Sequence, residues 1–116
     1  MKRIALSLIV ALGLAACEEE GSPSLVCGKK DPLNELPWLK QEMSHLLGGP
    51  TLNAVVLYIY EGREVLELQG SVFSSTNQHQ YYCDGEKLDF DDPVRFQDYR
   101  QKRVEKAVLY GTKIWE

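Results

Sequence analysis

The sequence predicts an α+β domain of two layers. An N-terminal helix packs on an antiparallel sheet of four or five strands, with room for a second short helix near the C-terminus. Three observations carry this. Leu36, Leu39, Met43, Leu46 and Leu47 recur at helical spacing. Residues 52–60 and 64–68 are apolar, β-rich runs separated only by Glu61-Gly62-Arg63. The chain has 116 residues, 44% of them apolar and 26% charged, which suits one small globular domain and excludes paired nucleotide-binding domains, barrels of α/β type and long repeat arrays.

Asp31-Pro32 opens the first helix, since Asp caps and Pro suits the first helical position, with Asn34 as an alternative cap. Gly48-Gly49-Pro50 ends it after about four turns. Trp38 lies beside its apolar face and covers the edge of the core. In the next run Val55, Leu57 and Ile59 fall on one face and Val56, Tyr58 and Tyr60 on the other. Both faces are apolar or aromatic, as in a central strand. Residues 64–68 return with Leu66 and Leu68 inward and Val65 and Glu67 outward, completing a hairpin. Residues 78–83 form a third strand, Asp84-Gly85 a type I′ turn, and residues 86–90 a short fourth strand. Asp91-Asp92-Pro93 repeats the cap-then-proline signal ahead of a helix over 94–103. Its Arg95, Arg100, Lys102 and Arg103 read as a solvated face favoured by the helix dipole, with a local contact to anionic lipid or an acidic partner as the alternative. Residues 106–115 alternate as a closing strand, with Gly111 at a bulge.

Residues 1–16 stand apart from this domain. Lys2 and Arg3 precede an apolar run over 4–14 that is too short for a bilayer core of roughly 30 Å and carries signal-peptide flanks. Leu14-Ala15-Ala16-Cys17 resembles a bacterial lipobox. The resemblance implies cleavage before Cys17 by signal peptidase II and acylation, of the palmitate kind, at Cys17. The alternative is an ordinary secretory signal that ends near a cysteine. Residues 17–26 then form a lipidated tether and residues 27–116 the domain. Cleavage removes Lys2 and Arg3, so 11 basic side chains face 17 acidic ones and the net charge moves from −4 to −6. Such a chain repels phosphate, which argues against a nucleic-acid partner. The membrane is instead met through the lipid at Cys17. Glu18-Glu19-Glu20 reads as a solvated spacer, and it also resembles the surface-sorting tag of some Bacteroidota lipoproteins. The expected location is therefore the outer membrane, facing either inward or to the exterior.

Cys27 and Cys83 remain. Two cysteines in an oxidising compartment form a disulfide by default. The long loop it closes is worth roughly 4 kcal/mol in the chain-entropy model. The alternatives are a nucleophilic thiol or half of a metal site. No C-x-x-C occurs, and His45 and His79 fall on different elements.

Motifs for nucleophilic hydrolysis, zinc proteolysis and phosphate cradling are missing from the sequence. No cofactor site is expected, and no catalytic residue stands out. Asp84, Glu86, Asp89, Asp91 and Asp92 invite a calcium reading but do not follow the EF-hand spacing; turn and cap roles account for Asp84, Asp91 and Asp92. Glu35 and Glu42 lie seven apart on the first helix with nothing to mark an acid–base pair. His45 near a helix C-terminus favours its charged form there, and His79 reads as surface decoration beside a loop. Tyr58, Tyr60, Tyr81 and Tyr82 occupy adjacent strands. If the helix covers one sheet face, Tyr58, Tyr60 and one of Tyr81 or Tyr82 project from the other as a docking surface for an envelope protein or a glycan. The opposing reading buries that face under a loop or the second helix.

The block Cys27-Gly28, Asp31-Pro32-Leu33 and Glu35-Leu36-Pro37-Trp38-Leu39-Lys40 resembles the opening of small uncharacterised lipoproteins of Bacteroidota. Tyr82-Cys83-Asp84-Gly85 and Ile114-Trp115-Glu116 are similar to the same group. The resemblance implies an anchored, disulfide-containing envelope domain and brings no catalytic residues. The functional expectation is an outer-membrane lipoprotein with a non-enzymatic protein-binding role, or else a small-ligand or glycan binder.

Overall fold

A computed structural model describes residues 25–115. The expected signal peptide, the expected lipidation at Cys17 and the acidic run lie outside the described residues.

The expected single helix is two short ones, α1 over Pro32–Glu35 and α2 over Pro37–Met43. The break falls at Leu36, whose φ of −105° and ψ of 104° are extended. The cause is local. A residue ahead of proline is pushed out of the helical region by the pyrrolidine ring, and Pro37 itself has no N–H to donate back. Leu36 and Leu39 still reach the core, while Leu47 lies beyond α2 and is exposed.

After a 3₁₀ turn over Gly49–Thr51, β1 runs over Asn53–Tyr60 and β2 over Arg63–Gly70. They pair in antiparallel register from Asn53 with Gly70 to Tyr60 with Arg63. The connecting Glu61-Gly62 has φ of 53° and 77°, the left-handed pair that a type I′ hairpin turn requires. With β3 over Gln80–Tyr82 and β4 over Val104–Gly111, the sheet order is β3–β2–β1–β4, all antiparallel. The α+β architecture with four strands is therefore as the sequence predicts.

Both sheet faces are covered. Val55, Leu57, Leu66 and Leu68 pack against Leu36, Leu39 and Val26. The opposite face carries Tyr60 and Val65 against Leu88, Phe90 and Tyr99. Tyr99 belongs to α3, Pro93–Lys102, whose cap Asp92 accepts a hydrogen bond from the Val94 amide at 2.9 Å. The second short helix is thus the lid of the second face.

Three expectations for local structure are corrected. Residues 86–90 are not a strand: only Lys87 bridges back, to Tyr81. The segment peels away because Leu88 and Phe90 turn into the core under α3, where the Phe90 ring lies tilted against Tyr99 with centroids 4.8 Å apart. The closing strand is 104–111 rather than 106–115. Its irregularities are not at Gly111: the register slips between Val55 and Val56 and again between Leu57 and Tyr58, which leaves Leu109 and Lys106 as the extra residues. Gly111 instead ends the strand with a φ of +75°, and a Cβ there would lie 1.9 Å from the Asn53 carbonyl oxygen.

The bridge between Cys27 and Cys83 is present, with Cα atoms 5.4 Å apart. Trp38 reinforces this corner. Its Nε1 donates to the Cys83 carbonyl at 2.8 Å, and its ring lies 5.2 Å from that of Tyr81. No helix among the described residues is long and apolar enough to cross a membrane.

Candidate functional site: a buried ion pair beneath a polar cleft

The second sheet face holds a charged group that strand alternation alone places outward. Glu67, on β2, is 1% exposed. An isolated carboxylate so placed would cost several kcal/mol, so it must be matched by donors. They converge from three directions. Oε1 accepts from Arg103 Nη1 at 2.7 Å, Tyr99 Oη at 2.9 Å and Gln80 Nε2 at 3.0 Å. Oε2 accepts from Gln69 Nε2 at 2.8 Å. Gln69 and Gln80 are themselves fully buried. Gln69 Oε1 accepts from the backbone amides of Ile114 and Trp115 at 2.7 and 3.0 Å, so the chain after β4 is strapped to the same network.

Arg103 is placed by the helix end. It is the C-cap of α3, its amide donating to Tyr99 O at 2.9 Å. Its side chain is 6% exposed. The guanidinium lies 4.1 Å from the ring centre of Tyr58 and 4.9 Å from that of Tyr99, in cation–π contact with both. Burial by itself lowers the arginine pKa, but the Glu67 carboxylate and the Tyr99 hydroxyl outweigh it and hold the group charged. Reading the 95–103 basic cluster as a wholly solvated face is therefore corrected for Arg103, while Arg95, Arg100 and Lys102 are exposed.

Arg103 also faces a recess. A cleft of about 400 Å³ is lined by Tyr58, Gln97, Arg100, Gln101, Arg103, Glu105 and Lys113. On the other side of Arg100 and Arg103, a smaller recess of about 100 Å³ reaches Glu67, Thr76, Phe96 and Trp115. At the rim, Lys113 Nζ lies 2.5 Å from Glu105 Oε1. Beneath it, Tyr58 is 2% exposed, and its hydroxyl is buried with no hydrogen-bond partner.

The four tyrosines proposed as an open docking face are separated. Tyr58 and Tyr60 lie under α3, each edge-on to Tyr99 at 6.2 and 5.2 Å, and Tyr60 Oη donates to Asp98 Oδ2 at 2.7 Å. Tyr81 is on the opposite face, half-buried against Trp38, with its hydroxyl 3.4 Å from Glu42 Oε1. Tyr82 is half-buried beneath the Arg63 guanidinium at 3.5 Å. An exposed tyrosine sheet face is thus corrected. The helix that carries Phe96 and Tyr99 covers it, because those aromatics need an apolar surface as much as Tyr58 and Tyr60 do.

Burial raises the pKa of all of Tyr58, Tyr60, Tyr81 and Tyr99, with nearby carboxylates adding to it; Tyr60 and Tyr81 are pushed up to about 12. Their unfolded value is about 10, so the neutral phenols favour the fold at every lower pH. That contribution fades as pH rises from 10 towards 12. Stability in urea should stay level up to about pH 10 and then fall, with tyrosinate absorbance appearing together with unfolding. Tyrosinate absorbance complete at pH 10 in the folded protein would contradict this burial.

The remaining candidates have local roles. His79 stacks on Phe73 at 3.9 Å and is half-buried, which lowers its pKa, so it is more than surface decoration. His45 is exposed just past α2. Asp84 and Asp89 accept from the amides of Glu86 and Asp91 at 2.9 and 3.2 Å, the turn role that their spacing suits. Among the described residues, Cys27, Glu64 and Cys83 are close enough to share a metal, but the two sulfurs are bonded to each other and Glu64 accepts from the Cys27 amide at 3.1 Å.

Sequence reasoning missed Glu67, Gln69, Gln80 and Arg103. The available signal was the pair of aromatics at the helix spacing of Phe96 and Tyr99, which implies a covered second face and hence buried partners for every polar residue on it. No family model matches the chain, no curated protein matches it, and no solved structure matches it.

Proposed function

We propose that the chain is an outer-membrane lipoprotein, anchored through Cys17, whose domain is a non-enzymatic binding module that takes a small polar ligand in the cleft over Arg103. The cleft carries this reading. Its lining includes Arg103, already desolvated and held in place by its ion pair with Glu67, so binding there does not require this group to be ordered first. The disulfide supports a compartment outside the cytoplasm. The signal and lipobox pattern supports the anchor. A protein-docking role through the tyrosine face loses its motive once Tyr58 and Tyr60 are buried.

The test is native mass spectrometry of the protein extracted from outer membranes in neutral detergent. Wild type should carry a non-covalent adduct that Arg100→Glu lacks. An adduct-free wild type, or an equally occupied variant, contradicts the reading. So does a wild type recovered only from the soluble fraction.

A further inference from the structure

We infer that Cys27, Cys83 and Glu64 form a reduction-gated site for a thiophilic divalent cation of the zinc kind. When the bridge is reduced, two thiolates and a carboxylate close on one ion. The inference is independent of the cleft over Arg103 and of the anchor at Cys17.

Geometry carries it. The sulfurs of Cys27 and Cys83 and a carboxylate oxygen of Glu64 all lie within 4.8 Å of one another, and all three residues are half-buried. Tetrahedral zinc, with Zn–S of about 2.3 Å and Zn–O of about 2.0–2.2 Å, sets a sulfur and an oxygen ligand roughly 3.6 Å apart and two sulfurs roughly 3.8 Å apart. Cys83 Sγ and Glu64 Oε1 already stand 3.6 Å apart. Only the sulfurs must separate, which side-chain rotation allows with Cα atoms 5.4 Å apart.

Two of the three ligands keep their places without the bridge. Glu64 is fixed in β2 by its pairing with Ile59. Cys83 is fixed through its carbonyl, which accepts from Trp38 Nε1. Cys27 belongs to the opening turn that Val26 and Lys29 close with two backbone hydrogen bonds of 2.9 Å. Among the described residues no lysine or arginine pairs with Glu64. Its oxygens accept from the Cys27 amide at 3.2 and 3.1 Å, and each keeps a lone pair for a cation.

The chemistry balances. An external dithiol delivers two electrons and two protons to the bridge and is itself oxidised to a disulfide. The divalent ion then displaces the two thiol protons, so one ion enters and two protons leave. Two thiolates and a carboxylate select zinc-like ions over calcium and magnesium, which take oxygen ligands. Three protein ligands leave the fourth position to water. The corner thus exchanges a covalent cross-link for a metal one and keeps the start of the domain on the sheet when reduced.

The experiment uses the full chain in neutral detergent with Cys17→Ala, which leaves thiols at 27 and 83 alone. The bridge is reduced with a phosphine, the phosphine is removed without air, and cobalt(II) is titrated in as a spectroscopic stand-in for zinc. A thiolate-to-cobalt charge-transfer band should grow to one ion per chain, zinc should abolish it, and two protons should be released per ion. The oxidised protein should give no band. Glu64→Gln still offers an oxygen to the Cys27 amide, and it should weaken binding by about tenfold or more, the loss that even an outer-shell partner brings. Hydrogen exchange reads the same event in the fold: residues 25–29 should lose protection on reduction and recover it with zinc. A reduced protein without the band overturns the inference. So does an affinity in Glu64→Gln equal to its parent's, or an affinity no tighter than that of the reduced chain unfolded in urea, since either leaves two adventitious thiols in place of a site.

Discussion

Replacing Arg103 by Met should cost about 3–5 kcal/mol of stability, measured by urea unfolding, because it strands the Glu67 carboxylate in the core without its cation. The size of the effect comes from the buried charge left behind, not from the net worth of the pair. Tyr99, Gln80 and Gln69 still donate to the carboxylate, but three neutral dipoles do not replace a guanidinium 2.7 Å away. A domain of this size has a stability of about 5–15 kcal/mol, so this one change removes a large share of it. The rings of Tyr58 and Tyr99 also lose their cation. By contrast, Lys102→Met breaks only an exposed pair with Asp98 and should leave the urea midpoint close to that of wild type.

Loss of the disulfide is the second large effect. Cys27→Ala with Cys83→Ala should lower stability by roughly 4 kcal/mol, given the 56-residue separation that the bridge spans. For a domain of this length that is a fall in melting temperature of the order of 20 °C. The bridge pins the start of the domain to the turn after β3. Without it, the start of the domain is held to the sheet by the packing of Val26 on Leu36 and Leu39 and by the Cys27 amide donating to Glu64 at 3.1 Å. The Trp38 hydrogen bond to Cys83 O keeps the turn itself in place, so β3 should stay protected from hydrogen exchange while residues 25–29 lose protection. A double variant as stable as wild type would show that the corner is held by the Trp38 and Glu64 hydrogen bonds without the bridge.

The sequence makes some of this plain and hides the rest for physical reasons. The β1–β2 hairpin is legible because alternation and a Glu-Gly turn are both local signals, and each points to the same register. The α3 cap is legible because Asp92 acts within its own turn. The break at Leu36 was also within reach: Pro37 suits the first position of a helix and not the middle of one. What is hidden is tertiary. Glu67 alternates with Leu66 and Leu68, so pattern alone sets it facing water. Its burial follows from α3 crossing the second face, and from Arg103 sitting at the end of that helix, 36 residues away in sequence. The cleft is hidden for the same reason, since its walls come from β1, α3 and the chain on both ends of β4. The disulfide is legible from two cysteines left over beside an expected export signal, though not its Glu64 neighbour.

The claim on which the site depends is that Glu67 and Arg103 form one coupled, ionised unit under the cleft. A double-mutant cycle in urea with Glu67→Gln and Arg103→Met measures it directly. Each single change leaves one buried charge unmatched, and the pair of changes leaves none. The cycle should therefore return a coupling energy of about 2–3 kcal/mol, with the double variant more stable than Arg103→Met alone. Single effects that add to within about 0.5 kcal/mol would mean that the two groups do not share a charge contact, and the cleft would then have no preformed floor.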